Sequence, residues 1–467
     1  MLLHIIRKEL LDQLLSLRFA VACVVCVVVF LLSFVVLARD YREAVSTYNM
    51  NTVMHRREVE QITQIWDLWR GLKADRPLNP MATLVRGAAP ELTETVQVQG
   101  GGQLDFAEAY EQNPVTPLFP SVDAVFIVGT IMSLLALAFA YDSVSGESES
   151  GVLKLLMSYP VPRDVVLAAK WVGGYLALVA PFVVAYLIAV LGVVLFPQVE
   201  LDPASGLALV GVLVLSLLYL AAVFSMGLFV SCRTRTPTTS ITVLLLLWVA
   251  LVLALPNMAP YAAQVVSPVP RRSSVDREKE ALGQEYTGKF QALWEAQPKT
   301  ERGPTDPEDW RTKSEALQNE MRQAMQKIED AYAARTKVQA RWAGTLARLS
   351  PVASYKLAAL DLSAAGIDQE RRFVESLRTY ATSWEAYAQG KMRAYEQRSQ
   401  GQGFTSMAEV EQFTREQNLG DYPRYEFHYM GMRDRLALVY PDVLLLLLWN
   451  VVFFMLAYLS FVRSEIR

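Results

Sequence analysis

Apolar residues in this chain gather into six long runs separated by long polar stretches. The runs are Phe19–Ala38, Ala124–Tyr141, Trp171–Phe196, Leu207–Val230, Thr238–Pro256 and Val443–Val462. A helix needs about 20 predominantly apolar residues to cross the hydrocarbon core of a bilayer. Each run therefore predicts a spanning helix: 19–38, 124–141, 171–196, 207–230, 238–256 and 443–462. The expected fold is an all-α polytopic membrane protein with six transmembrane helices. Tyr141, Trp171, Tyr219, Trp248 and Tyr458 fall near run ends, some of them too deep for a clean interfacial belt.

Residues 1–18 carry a second kind of pattern. Leu2, Ile5, Ile6, Leu10, Leu11, Leu14 and Leu15 recur at helical spacing, opposite Arg7, Lys8 and Asp12. Two readings stand: an amphipathic helix lying in the membrane interface, or a plain extension of the first spanning helix. The first run is too long for a signal-peptide core and follows this helix, so a cleaved leader is not expected. The short loops set the orientation. Arg7, Lys8 and Arg18 precede the first run; Lys154, Arg163 and Lys170 follow the second; Arg233 and Arg235 follow the fourth; Arg463 and Arg467 close the chain. The short loop after the third run has Glu200 and Asp202 and no basic residue. The positive-inside rule then places both termini in the cytoplasm.

That topology leaves two large segments outside, 39–123 and 258–441. The first has Gly100–Gly102 and scattered prolines and reads as mixed structure. The second is mainly helical. Apolar positions from Leu317 to Leu346 and from Phe373 to Tyr395 step mostly by three, four or seven. Two long antiparallel helices joined through Ser350–Gly366 are the simplest arrangement. The stripe Phe373, Trp384, Tyr387 reads as core rather than as a ligand platform, and Arg271–Glu280 as a solvated face.

Composition sharpens this picture. The 467 residues are 52% hydrophobic and only 19% charged, against about a quarter charged in soluble domains. That excludes an ordinary soluble enzyme and a disordered chain. The net charge of −3, with no stretch dominated by Lys and Arg, argues against nucleic acid as a partner. Cys23, Cys26 and Cys232 all lie in or beside apolar runs, so the polar segments have no disulfides. His4, His55 and His428 are scattered, without metal-ligand spacing, and no metal site is expected. Gly283, Gly288 and Lys289 match phosphate-loop spacing, but Phe290 stands where Ser or Thr must hold Mg²⁺. No catalytic constellation appears, and no carboxylate lies in the middle of an apolar run. Asn450 is the costliest polar residue at membrane depth. Two roles are open to it, a lining of a substrate path or an interhelical hydrogen bond.

The most specific stretch is Asp142–Arg163, DSVSGESESGVLKLLMSYPVPR. Ser145 or Ser148 can cap a short helix, with Glu147 and Glu149 near its first turn. Gly151 breaks the polar run. Leu153, Leu155, Leu156 and Met157 form a short apolar surface, and Pro160 and Pro162 end it. Such a helix between two spanning helices suits docking into a groove on another protein.

This loop resembles the signature of ABC-2 type permeases, the membrane subunits of ABC transporters. Asp142, Val144, Ser145, Glu147, Gly151, Leu153, Leu156, Met157, Pro160, Val161 and Arg163 fit it, and Val152 replaces the usual Thr. Lys8 and Glu9 sit where the family has its elbow helix, and Ser231–Arg235 where it has a small polar-basic turn. The two long insertions resemble a bacterial subfamily. The resemblance implies a coupling element at 142–170, with Asp142, Ser145, Glu147, Glu149, Gly151, Leu153, Leu156, Pro160 and Arg163 meeting a separate ATPase. It implies ATP and Mg²⁺ on that partner, no cofactor on this chain, a second permease copy or sister permease, and a bacterial inner-membrane exporter. Glu147 is expected to reach a basic residue of the ATPase. Competing readings are ATP-driven motion passed to an envelope partner without transport, and a receptor or scaffold with no ATPase.

Overall fold

The computed structural model describes residues 2–62, 64–87, 95–98, 104–105, 121–296, 299–300, 303–304, 307–401, 406–417 and 421–463. Gly100–Gly102 and Arg467 lie outside them. Among the described residues, six helices are long and apolar enough to cross a membrane. They do not coincide with the apolar runs, because polar residues extend most of them.

Helix α1 spans Leu2–Leu14 and α2 spans Leu17–Glu60. Ser16 separates them. Its backbone is extended, and its hydroxyl accepts the Phe19 N–H at 3.3 Å while donating to Gln13 O at 2.6 Å. A serine N-cap of this kind starts a new helix. The N-terminal segment is thus a separate helix, not a continuation of α2. Helix α2 runs 44 residues, far past the apolar run that ends at Ala38. Residues 39–60 are therefore helix rather than loop.

Helix α3 begins at Ala124, passes through a π-turn at Ile127–Met132 and ends at Ala140. The Tyr219 hydroxyl donates to Gly129 O in that turn at 3.0 Å, so a displaced backbone acceptor is satisfied. Two short helices follow, α4 at Ser145–Glu149 and α5 at Val152–Ser158. Then come α6 at Arg163–Leu195, α7 at Pro203–Arg233 and α8 at Pro237–Val266. Helix α7 is the centre of the bundle. Leu220 to Leu228 are buried on every side, as expected of a helix apolar all round. It packs on α3, α6, α8 and α14, which spans Met432–Arg463.

Asn450 of α14 donates to Leu218 O of α7 at 2.9 Å and to its own Leu446 O at 2.8 Å. Of the two roles open to it, the structure shows the interhelical bond. Because α14 starts at Met432, Asp442 falls inside a helix and is fully buried, although the apolar run leaves it just outside.

The chain divides into two compact units, 1–248 with 354–467, and 249–353. This grouping differs from two domains taken in chain order. In the first unit, residues of both long polar segments share one core. Strands β1 (Leu72–Asp75), β2 (Thr95–Val98) and β3 (Leu104–Asp105) form an antiparallel sheet with Leu72 opposite Val98. Val96 and Val98 pack with Phe373, Leu377 and Trp384 of a long helix, α12, at Ile367–Gly401, which α13 at Met407–Glu416 follows. The Trp384 indole donates to Leu68 O at 3.1 Å. Arg76 donates to Glu370 through both terminal guanidinium nitrogens, at 2.8 and 2.5 Å. The aromatic stripe is core, as its spacing predicts.

The second unit holds α9 (Arg272–Glu295), a strand pair β4–β5 (Lys299–Thr300 with Gly303–Pro304) and α10 (Pro307–Ala347). Helices α9 and α10 form an antiparallel hairpin. Arg272 meets Glu329, Tyr286 meets Glu320, and Trp294 meets Trp310 edge-on at 5.2 Å. The partners of α10 are thus α9 and the 255–266 end of α8. The 310–349 and 371–398 helices fall in different units, and the link between them, Ser350–Gly366, contains a helix of its own, α11 at Pro351–Leu362. Apolar spacing reports that a helix has a buried face, not which helix covers it. The Gly283–Lys289 match lies inside α9, where no phosphate-cradling loop exists.

Glu329 receives Arg272 and Lys279 together. The hydrogen bond from Arg272 holds its carboxyl below the ordinary value. A depressed folded pKa adds stability that is complete above the unfolded value and is lost as pH falls through the folded one. The difference in thermal midpoint between wild type and Glu329→Gln is therefore constant near neutrality and shrinks below about pH 4. Scanning fluorimetry across pH checks this; a difference that grows on acidification contradicts it.

Candidate functional site

The 142–163 loop is held to the bundle at four places. At its start, Asp142 pairs with Arg18 of α2 at 2.7 Å, and the same guanidinium lies 5.0 Å over the Tyr141 ring. One turn later, the Ser231 hydroxyl at the end of α7 accepts the N–H groups of Val144 and Ser145 at 3.0 and 3.1 Å. These are orphan donors of α4, so a serine from another helix performs the capping. This corrects the assignment of the cap to Ser145 or Ser148. Ser145 donates to Tyr141 O at 2.9 Å, and Ser148 is exposed.

The third anchor is Lys170 of α6. Its side chain is 1% exposed, and its ammonium lies 2.7 Å from Glu147 Oε1 and 3.0 Å from Glu9 Oε1. One lysine thus joins the loop, α1 and α6. Glu147 does not face outward to a partner; its ion pair is inside this chain. Among the described residues its second oxygen, Oε2, is buried without a hydrogen-bond partner. Two carboxylates face one ammonium, so the site carries a formal charge of −1. Close approach makes this geometry possible. A Cβ on Gly173 would come within 2.8 Å of Glu9 Cβ and 3.3 Å of Ile6 O. Any larger residue there would push α1 away from α6. Lys8, beside Glu9, is exposed and takes no part in the cluster.

The fourth anchor closes the loop. Arg163 donates to Val462 O near the end of α14 at 2.7 Å, where helix carbonyls lack intrahelical donors. Pro160 is exposed just before it.

Between these anchors, Gly151 takes a left-handed conformation with φ +75°. That turn separates α4 from α5, and an L-residue there is strained. It also sets which side of α5 faces inward. Leu153 is buried against Val144, Val166, Leu167, Leu228, Cys232, Ala457 and Phe461, and Leu156 and Met157 pack on the same cluster. The face left in solvent is different. Leu155 is 65% exposed and Tyr159 is 62% exposed, with Val152 beside them. Steps of three and four align these three on one ridge. Glu149 is exposed at the near end. The apolar surface thus splits in two, and Leu153 and Leu156 belong to the inner half.

Lys170, Arg18 and Tyr159 carry much of the arrangement although the motif singles out none of them, while Ser231 and Leu155 are marked in the sequence only as part of the polar-basic turn and of the loop's apolar surface. Only Lys170 leaves a clear trace in the sequence: one cation enclosed by Ala168, Ala169, Trp171 and Val172 demands a counter-charge. Among the described residues, no group of three or more His, Cys, Asp or Glu side chains is placed to hold a metal ion.

The model of the ABC-2 family transporter protein matches residues 3–466. The chain belongs to this family. It is a multi-pass membrane permease. Over 68 residues it is 38% identical to the Probable ABC transporter permease protein NosY of Stutzerimonas stutzeri, covering 15% of this chain and 25% of that protein. Over 71 residues it is 39% identical to the protein of the same name from Pseudomonas aeruginosa, covering 15% and 26%. The chain thus spans about a quarter of the length of these curated relatives.

Removing one partner of a buried charge set leaves the others uncompensated, at a cost of about 3–5 kcal/mol. Lys170→Met in the permease is therefore strongly destabilising, and Glu9→Gln or Glu147→Gln less so, because each leaves Lys170 one carboxylate. The triple Lys170→Met, Glu9→Gln, Glu147→Gln variant recovers part of the loss. Thermal unfolding in detergent measures all four. A Lys170→Met protein as stable as wild type contradicts the buried cluster.

Proposed function

We propose that this chain is the membrane subunit of a bacterial ABC exporter, driven by a separate ATPase that docks on the 142–163 loop from the cytoplasm. ATP and Mg²⁺ belong to that ATPase, and two permeases, identical or sister chains, complete the transporter. The observation that carries the reading is the ridge of Val152, Leu155 and Tyr159, apolar and exposed on a loop anchored at four points. An apolar helix face in water is what a protein groove accepts. Anchors to α1, α2, α6, α7 and α14 give a push on that ridge a rigid route into five helices.

The contact residues follow from exposure. Val152, Leu155, Tyr159 and Glu149 meet the ATPase. Asp142, Ser145, Glu147, Leu153, Leu156 and Arg163 hold the loop in shape. Gly151 sets its bend, and Pro160 ends the ridge. Helix α1 is the elbow helix; Leu2, Leu3 and Leu11 are exposed and would enter the membrane interface. Basic short loops support cytoplasmic termini in the inner membrane, with 39–123 and most of 258–441 outside.

Leu155→Asp and Tyr159→Ala, placed together, lower ATPase activity of the reconstituted complex by at least about tenfold, as loss of a buried hot-spot pair does. Both residues are exposed, so the thermal midpoint of the isolated permease stays put. Leu153→Ala behaves oppositely and costs about 2–5 kcal/mol of stability. Gly151→Pro uncouples ATP hydrolysis too, because proline fixes φ near −65°. Full activity of the double variant sinks the docking surface.

Orientation has its own check. Single cysteines at Glu58, Arg398 and Leu155 are placed in a Cys23→Ser background. An impermeant thiol reagent added to spheroplasts labels the first two and spares the third. The reverse pattern overturns the topology.

A further inference from the structure

A recess lies in the first unit, away from the loop, between the polar half of α2, strand β1, the 367–401 helix and the segment around Tyr422–Glu426. Its volume is about 260 Å³. A hydrogen-bonded chain crosses its floor. His55 Nδ1 lies 2.7 Å from Asp75 Oδ2, and Thr95 Oγ1 donates to Asp75 Oδ1 at 2.7 Å. Both Asp75 oxygens are engaged, and the carboxylate fixes the His55 ring by Nδ1. Among the described residues the other ring nitrogen, Nε2, meets no partner and is left for a ligand.

Thr52 precedes His55 by one turn of α2 and lines the same recess. Its hydroxyl is buried and, among the described residues, has no hydrogen-bond partner. A buried hydroxyl left unpaired costs stability that a bound acceptor or donor recovers. Tyr48, Tyr422 and Tyr425 line the walls, and aromatic rings favour contact with a compact ring-shaped body. Arg56 and Arg424 are exposed residues of the lining, against one exposed acid, Glu426. Lys73 is drawn toward Glu58 at 3.6 Å, and both oxygens of the Asp75 carboxylate are taken up by His55 and Thr95, so the exposed charges left to the lining are the two arginines against Glu426. Arginine's planar fork suits a carboxylate.

We propose that this recess binds a small molecule carrying a carboxylate on a hydroxylated ring. Thr52 and His55 take the hydroxyls, the tyrosines flank the ring, and Arg56 and Arg424 meet the carboxylate. The 142–163 loop contributes no residue, so the inference stands or falls apart from the coupling reading.

Calorimetric titration of the full chain in detergent tests it, with sodium D-glucuronate, D-glucose and sodium benzoate as separate arms. Glucuronate has both features, glucose lacks the carboxylate, and benzoate lacks the hydroxyls. Glucuronate binds at least about tenfold tighter than either, the factor that one charge-assisted contact supplies. Arg56→Gln with Arg424→Gln changes two exposed side chains, leaves the thermal midpoint unchanged, and brings glucuronate down to the level of glucose. His55→Gln weakens glucuronate and glucose alike and leaves benzoate unaffected. No heat from glucuronate at millimolar concentration overturns the proposal. So does equal binding of the three probes, or glucuronate affinity untouched by the arginine pair.

Discussion

The burial of one ammonium group organises the end of the bundle where the loop sits. Lys170 is almost wholly removed from water, and a lone charge in that position is expensive. It is tolerated because carboxylates reach it from two directions, Glu9 on α1 and Glu147 on α4. Each acid is on a short element with little core of its own. The need to neutralise Lys170 therefore places both elements. Gly173 permits the approach of α1, and Ser231 takes up the donors that α4 leaves open.

Once the loop is placed, its surface divides. The left-handed turn at Gly151 directs Leu153 toward the bundle and leaves Leu155 and Tyr159 in water. The inner half joins α6, α7 and α14 in one apolar cluster. The outer half is held rigid by that same cluster. A docking surface that transmits force needs this combination, because a loop free to bend would absorb the motion.

The polar segments obey a different constraint. A three-stranded sheet with one strand of two residues is too small to stand alone. It is completed by the 367–401 helix, more than 250 residues along the chain. The Arg76–Glu370 pair and the Trp384 indole bond tie the two pieces together. The recess with His55 and Asp75 exists only because of this union. Its floor comes from one segment and part of its wall from the other.

The six spanning helices, the helical period of the N-terminal segment and the family signature were all legible in the residues, whereas the break of that segment from α2 at Ser16 was not. Each is a local property: an apolar length, a helical period, or a spacing inside one loop. The core role of Phe373 and Trp384 was legible for the same reason. Tertiary structure alone decided which helix each face meets. It packed α10 on α9 and on the end of α8, turned Glu147 inward to Lys170, and divided the apolar face of the loop, with Leu153 and Leu156 inside and Leu155 and Tyr159 exposed. It also carried α2 twenty-two residues past its apolar run, because Val59 has a core to join there. Periodicity records that a side chain must leave water. The partner that lets it do so is a long-range contact, and its identity depends on the whole packed chain.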